Sequence, residues 1–317
     1  MISIVIVNFN GGELLIRCLK SIKEQTYKDY EVIIVDNNSL DNSMDLVEQI
    51  LPAKKIFNPV NVGFAKAQNQ GIRSSKGQYI MTMNFDLQLK PDFFSQVISS
   101  LESNEHIGTV TGKMLRMKHD GSLTRQIDNT GVLLSKRRVP ILRGQNELDK
   151  GQFQVEDYVF GAMGAAAVHK KIMLEDIKFK GQYFDENFFM WYEDIDLDWR
   201  SRIYGWDCLY VPQAVAYHIG DPHDHRKKRY ATKLGIRNRW SMIISNENLK
   251  FLITDAIWLI QEELAILLYV IRKKKLEDYI LAIIDLLSAL PDILRKRAHI
   301  QRAAIRGTPI DYPKSIT

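Results

Sequence analysis

Three observations predict an α/β fold built on a mostly parallel, doubly wound sheet flanked by helices and followed by a C-terminal helical region. Between residues 2 and 84, short β-branched apolar runs alternate with helical patterns, as parallel strands joined by crossover helices require. Each of those runs ends in a cluster of Asn, Asp or Gly, where open α/β sheets bind their ligands. Beyond about residue 245 the pattern changes to long amphipathic stretches rich in Lys and Arg. The expected division is therefore 1–245 for an α/β domain and 246–317 for the helical region.

The first strand, Ile2-Ser3-Ile4-Val5-Ile6-Val7, is short and apolar throughout, the pattern of a strand covered on both faces. It runs into the turn Asn8-Phe9-Asn10-Gly11-Gly12. A helix follows, with Leu14, Leu15, Cys18, Leu19 and Ile22 on one face. The second strand, Tyr30-Glu31-Val32-Ile33-Ile34-Val35, ends in Asp36-Asn37-Asn38-Ser39, and Ser39 is a candidate cap for a helix carrying Met44, Val47 and Ile50. Lys55-Ile56-Phe57 reads as a third strand. Asn61-Val62-Gly63-Phe64-Ala65 opens a helix through Ala67, Asn69 and Ile72. The fourth strand, Gln78 to Met83, meets Asn84-Phe85-Asp86. The first turn lacks the Gly-x-Gly-x-x-Gly fingerprint, and no Gly-Lys-Ser/Thr loop appears, which argues against a dinucleotide-dependent dehydrogenase and a P-loop enzyme.

From about residue 105 to 160 the pattern breaks into short strands. The small-residue run Gly161-Ala162-Met163-Gly164-Ala165-Ala166 allows close backbone approach to a ligand or to another strand. Next comes the densest chemistry in the chain, Trp191-Tyr192-Glu193-Asp194-Ile195-Asp196-Leu197-Asp198-Trp199-Arg200. Four carboxylates in six residues, set among aromatics, suggest a helix that starts at a pocket floor. If it starts near Glu193, Asp194 lies in the first turn, where free N–H groups and the helix dipole favour an ionised acid. Asp198 lies one turn deeper on the same side, and Asp196 points away, toward Arg200. A final strand pattern leads to His218.

Composition agrees with a globular domain: 45% hydrophobic and 26% charged residues. Cys18 and Cys208 are far apart and read as buried thiols. No basic n-region precedes the first strand, so a cytoplasmic location is expected. The net charge of +5 is uneven, because residues 221–317 carry 18 Lys/Arg against 11 Asp/Glu. Such a tail points to an acidic partner surface. Nucleic acid is set aside, because the tail is dominated by apolar residues and has few aromatics. Asp255, Gln261, Glu262 and Glu263 interrupt its apolar run, against a transmembrane span. The alternatives are an amphipathic helix and a second one from about Asp278 to Leu290, packed on the catalytic domain, paired in a homodimer, or lying peripherally on a membrane.

Taken together, the motifs resemble those of the inverting glycosyltransferases of family 2, in particular the rhamnosyltransferase-like bacterial members. The matching segments are Val7-Asn8-Phe9-Asn10, Val35-Asp36-Asn37-Asn38-Ser39, Asn61-Val62-Gly63-Phe64-Ala65 with Asn69, Glu193-Asp194-Ile195-Asp196-Leu197-Asp198-Trp199-Arg200, and His218, over roughly residues 1–245. Leu290-Pro291-Asp292-Ile293-Leu294-Arg295-Lys296-Arg297 is similar to the tail of the same subgroup. The resemblance implies a GT-A fold and a nucleotide-diphosphate sugar donor, either dTDP-rhamnose or a UDP-sugar. It implies a glycan or lipid-linked saccharide acceptor and a divalent cation, Mn²⁺ or Mg²⁺. By the same resemblance Asp194 is the base, and Asp86 and His218 are metal ligands. Asn8, Asn10, Asp36, Asn61, Gly63, Asn69 and Asn84 surround the nucleotide sugar, while Trp191 and Glu193 hold the acceptor or steady the loop. One departure stands out: the family's Asp-x-Asp motif is Asn84-Phe85-Asp86 here, with a single carboxylate. The basic run His223-Asp224-His225-Arg226-Lys227-Lys228-Arg229-Tyr230 reads either as a loop gripping the diphosphate or as a solvated turn. The other function class is a catalytically silent nucleotide-sugar or glycan binder on the same sheet.

Overall fold

A computed structural model of the chain describes residues 1–219 and 233–304. The basic run at 223–230 lies outside the described residues. Strands β1 (Ile2–Asn8), β2 (Tyr30–Asp36), β3 (Lys54–Phe57) and β4 (Tyr79–Asn84) pair in parallel in the order β3-β2-β1-β4. Residues of β1 point alternately to two cores. Ile4 and Ile6 pack with Leu15 and Leu19 of α1 (Gly12–Lys23), while Val5 and Val7 pack with Ala65 and Ile72 of α3 (Phe64–Arg73). Burial on both faces is why these strands carry uninterrupted apolar runs. Helix α2 spans only Val47–Ile50, and Ser39 does not cap it, because the Ser39 hydroxyl is engaged with Asn8 and Asn10.

The second half of the sheet is mixed. β11 (Ala166–Lys170) inserts antiparallel between β4 and β6 (Ile107–Met117), and β12 (Asp207–His218) runs parallel to β6. β10 (Asp157–Val159) and β5 (Leu87–Leu89) flank β12, and β7 (Leu123–Asn129) flanks β6. β12 runs as one strand through Pro212. Pro212, which has no N–H to donate, falls where the register with β6 shifts between Val211 and Val215. α4 (Phe93–Ser103) and α5 (Lys171–Ile177) cover the sheet, and β8 (Val132–Leu134) pairs with β9 (Pro140–Leu142) apart from it. α6 (Glu193–Ile203) begins at Glu193, as its acidic first turn predicts.

Among the described residues four helices follow: α7 (Lys233–Asn246), α8 (Leu249–Thr254), α9 (Ala256–Arg272) and α10 (Leu276–Ala304). The second amphipathic helix does not stop at Leu290. It continues through Pro291, because Ile293, Lys296 and Ile300 beyond the proline are buried. That burial offsets the missing backbone hydrogen bond. Among the described residues no helix is long and apolar enough to cross a membrane.

Candidate active site

The parallel strand ends build one wall. In register at the tips of β1 and β2, the Asn8 side-chain amide donates to Asp36 Oδ1 (2.8 Å), Ser39 Oγ (3.0 Å) and Ser43 Oγ (2.9 Å). The Ser39 backbone N–H donates to Asp36 Oδ2 at 3.1 Å. Asn8 is thus sealed within the turn. It acts by holding Asp36 and residues 39–43 in place, not by offering its side chain to a nucleotide. Asn10 and Asn61 are exposed at the rim. Asn10 Oδ1 accepts from the Leu40 N–H at 2.8 Å, and Asn61 Oδ1 accepts from Asn37 Nδ2 and the Gly63 N–H, both at 2.9 Å. Gly63 has φ 85°, and a Cβ there would lie 2.5 Å from the Phe189 ring, so only glycine fits. Asn69 corrects the sequence reading. It is fully buried, donating to Phe184 O (2.7 Å) and accepting from the N–H groups of Tyr183 and Phe184. Its amide clamps the chain leading into the acidic stretch and is not available to a nucleotide.

The opposite wall is α6 and the loop before it. Phe189, Trp191 and Tyr192 all have positive φ, between 64° and 70°. Non-glycine residues held this way cost on the order of 1–3 kcal/mol each and persist only when their surroundings over-determine them. Asn238 of α7 supplies that constraint: its side-chain amide donates to the carbonyls of Phe188 (2.8 Å), Met190 (2.9 Å) and Trp191 (3.0 Å).

The four carboxylates then part company. Asp196 is fully buried and accepts from Arg200 Nε (2.9 Å), Asn246 Nδ2 (2.8 Å) and Lys296 Nζ (2.8 and 2.9 Å). Burial alone would raise its pKa, but Lys296 and Arg200 hold it below the usual range. Asp198 is buried and accepts from the Ala162 N–H at 2.9 Å. Burial first, and the nearby Asp194 charge second, push its carboxyl well above the usual range. Glu193 is 6% exposed, Asp196 0% and Asp198 1%, whereas Asp194 remains half-buried, with an open side. The Gly164 N–H donates to Asp194 Oδ2 at 3.2 Å. The small-residue run therefore makes its close approach to α6: a Cβ on Gly161 would sit 2.0 Å from Asp198 Oδ2.

That run also ties the two walls together. Gly164 touches Asp194, and the next residue, Ala165, accepts through its carbonyl from the Asn84 N–H at 2.9 Å. Asn84 ends β4, and Asp86 follows it. His218, ending β12, places Nε2 3.4 Å from Asp86 Oδ2 and Nδ1 3.0 Å from Asp128 Oδ2. Burial alone would lower the His218 pKa, but the Asp86 charge and the hydrogen bonds to Asp128 and Asp86 lift it to about 10. Asp86 Oδ1 is buried without a hydrogen-bond partner. Among the described residues no group of three His, Cys, Asp or Glu side chains is arranged to hold a metal. Asp86 and His218 alone are too few donors for a protein-only metal site, and a cation placed between them would need phosphate oxygens and water to complete its shell.

The sequence reading assigns no role to Asn238, Asn246, Lys296 or Asp128. Asp128 lies at a strand end followed by Asn129-Thr130, a polar cluster like those in the first half and the one available signal. Asn238 and Asn246 sit in a helix with no motif around them, and within the tail segment nothing local singles out Lys296.

The family model for glycosyl transferase family 2 matches residues 3–170. Poly-beta-1,6-N-acetyl-D-glucosamine synthase of Staphylococcus epidermidis is 24% identical over 222 residues, 68% of this chain and 49% of that protein. The amylovoran biosynthesis glycosyltransferase AmsB of Erwinia amylovora is 25% identical over 248 residues, 72% of this chain and 74% of that protein. The chain spans only 37% of an uncharacterized glycosyltransferase of Haemophilus influenzae, to which it is 29% identical over 121 residues, again 37% of this chain. Among solved structures, GalNAc-T7 with UDP, GalNAc and Mn²⁺ superposes with a TM-score of 0.62, covering 77% of this chain and 48% of that one. The mannosyltransferase PcManGT from Pyrobaculum calidifontis with GDP-Man and Mn²⁺ gives 0.55, covering 96% and 86%. At 15% identity each, these two establish the GT-A-like fold alone. With more than half of its length matched by the family model, and with the strand-end and acidic motifs in register on that fold, the chain belongs to glycosyl transferase family 2.

Proposed function

We propose that the chain transfers a sugar from a nucleotide-diphosphate donor to a hydroxyl of a glycan or lipid-linked saccharide, with inversion at the anomeric carbon, in the synthesis of a cell-surface polysaccharide. The observation that carries this reading is the sorting of the acidic stretch. Three carboxylates are sealed, and Asp194 alone stays open, joined through Gly164 and Ala165 to the strand end bearing Asn84 and Asp86. A single open carboxylate suits a reaction in which the attacking hydroxyl must lose its proton as the new bond forms. Asp194 accepts that proton. Asn10, Asp36, Asn61 and Asn84, with Gly63 permitting close passage, form the donor side. Trp191 flanks the acceptor side, and the sealed Glu193 steadies the loop.

Asp86 and His218 would hold a divalent cation, whose positive charge would stabilise the departing diphosphate. Asp128 fixes the His218 ring by taking its Nδ1, so that Nε2 faces Asp86. Mn²⁺ is the better match to an imidazole ligand, and Mg²⁺ is the alternative. GalNAc-T7 and PcManGT, both solved with Mn²⁺, support that choice. The motif resemblance favours dTDP-rhamnose as donor. The UDP-GlcNAc and GDP-Man complexes of the structural neighbours TarS and PcManGT keep UDP- and GDP-linked sugars in the comparison.

The test is a thermal-shift screen of nucleotide sugars with Mn²⁺, followed by donor turnover for those that stabilise the fold. Turnover is expected to vanish in a chelator and return with Mn²⁺ or Mg²⁺. Full activity in the chelator overturns the metal assignment. Donor binding without turnover on any saccharide would instead make the chain a nucleotide-sugar binder.

A further inference from the structure

The acids that interrupt the apolar run of α9, and Asp285 of α10, are each paired with a cation of the chain. Glu262 pairs with Arg137 (3.4 Å). Glu263 accepts from Trp240 Nε1 (2.9 Å) and pairs with Arg239 (3.3 Å). Asp255 pairs with Arg138 (2.7 Å), and Asp285 with Lys233 (2.8 Å). Leu259, Ile266 and Val270 of α9 and Ala282 of α10 are buried on the same inward side.

What remains outward is apolar. Ile257, Ile260, Leu264, Leu268 and Ile271 recur at spacings of three and four along α9, opposite its buried residues, each between 51% and 56% exposed. On α10, Ile280, Ile284, Leu287 and Leu294 repeat the pattern. Soluble monomers rarely expose so long a contiguous apolar stripe without using it. At the turn joining the two helices stands Arg272-Lys273-Lys274-Lys275, with Arg272, Lys273 and Lys274 exposed. No acid of α9 is on the outward face to balance them, and of the α10 acids Glu277 is exposed, while Asp292, its side chain 47% exposed, is already paired with Lys180 and Arg295.

We propose that the α9–α10 hairpin is a docking surface for an anionic lipid bilayer, lying in the interface plane with its apolar stripes among the acyl chains and its basic turn against the head groups. The charge pattern selects this partner. Burying the stripe against a second copy of the chain would leave the basic turn without acids to meet, whereas acidic head groups complement it along its whole length. The hairpin also reports to the reaction centre. The helix that carries Ile284 and Leu294 outward carries Lys296 inward onto Asp196, two residues from Asp194. Docking would therefore hold α6 at a set orientation to the membrane. The inference stands on exposure and charge and does not depend on the sugar-transfer reading.

The experiment is co-sedimentation of the full chain with vesicles of phosphatidylcholine alone and of phosphatidylcholine mixed with phosphatidylglycerol. Binding is expected to the mixed vesicles only, and to weaken with salt. Replacing the three exposed cations (R272Q, K273Q, K274Q) removes about fivefold in partitioning for each and so on the order of a hundredfold together. L264D with L268D should abolish binding while leaving the circular dichroism spectrum and melting temperature unchanged, because both positions face solvent. Absence of binding to the mixed vesicles overturns the proposal, as does equal binding to both kinds. So does a homodimer in sedimentation velocity that L264D dissociates while lipid binding is nil.

Discussion

The two walls of the cleft are stabilised in opposite ways. On the donor wall, Asn8, Asp36, Ser39 and Ser43 come from two neighbouring parallel strands and the turns after them, and the hydrogen bonds among them are short-range and mostly neutral. On the base wall, three positive-φ residues are held by Asn238 and a buried acid by Asn246 and Lys296, partners 47 to 100 residues away in sequence. The donor wall is therefore a property of the Rossmann-like half itself. The base wall takes its partners from the C-terminal helices, so the helical region completes the candidate site instead of merely following it.

The largest effect expected is on the base itself. Asp194→Asn should lower turnover about 10²- to 10⁴-fold, the range for a positioned general base, with little change in melting temperature. The amide oxygen can still accept from the Gly164 N–H. Near-wild-type transfer would remove Asp194 from that role. Next in size is the contrast between the walls. Lys296→Met takes away one partner of a buried charge cluster and should cost about 3–5 kcal/mol in denaturant unfolding. Asn8→Ala on the donor wall leaves neutral groups short of a partner and should cost about 1–3 kcal/mol. Equal losses would erase the distinction.

The same contrast explains what was legible in the sequence. The strand-end clusters could be read because a parallel strand ends where its apolar run ends, and adjacent ends meet without further information. Asn8 opposite Asp36 needs only the register of β1 on β2. The start of α6 at Glu193 was legible from its acidic first turn, and so was the partnership of Asp196 with Arg200, four residues on. Lys296 was not. It stands between Arg295 and Arg297 in a basic segment, and nothing local marks it as the buried one. Its position follows from α10 passing through Pro291, which local propensity argues against and tertiary packing overrides. Asn69 was misjudged for a related reason. Its motif is local, but its partners at 183–186 belong to the other wall.

Asn238 offers a sharper probe of how the base wall is held. Asn238→Ala deprives the carbonyls of Phe188, Met190 and Trp191 of their donor and should destabilise the fold by about 1–3 kcal/mol. Turnover should fall by more than the population of unfolded protein explains, because the positive-φ run that precedes Asp194 loses its constraint. A stability loss with unchanged turnover would mean that Gly164 and the α6 N-terminus suffice to hold Asp194.

The smallest effect is a gain, and it depends on pH. Burial keeps the Asp198 carboxyl protonated in the folded chain well above the point, near pH 3.9, at which it ionises when unfolded. Below that point the group favours neither state. As pH rises past it, the unfolded chain releases a proton that the folded chain retains, and stability falls until the folded carboxyl itself ionises. Asp198→Asn removes this linkage while keeping an oxygen to accept from the Ala162 N–H. The variant should therefore melt above the wild type at pH 7, with the difference shrinking to nothing as the pH approaches 4. A variant less stable than wild type at pH 7 would mean that Asp198 is ionised and paired there. The base wall would then bury the charge of Asp198 as well as that of Asp196.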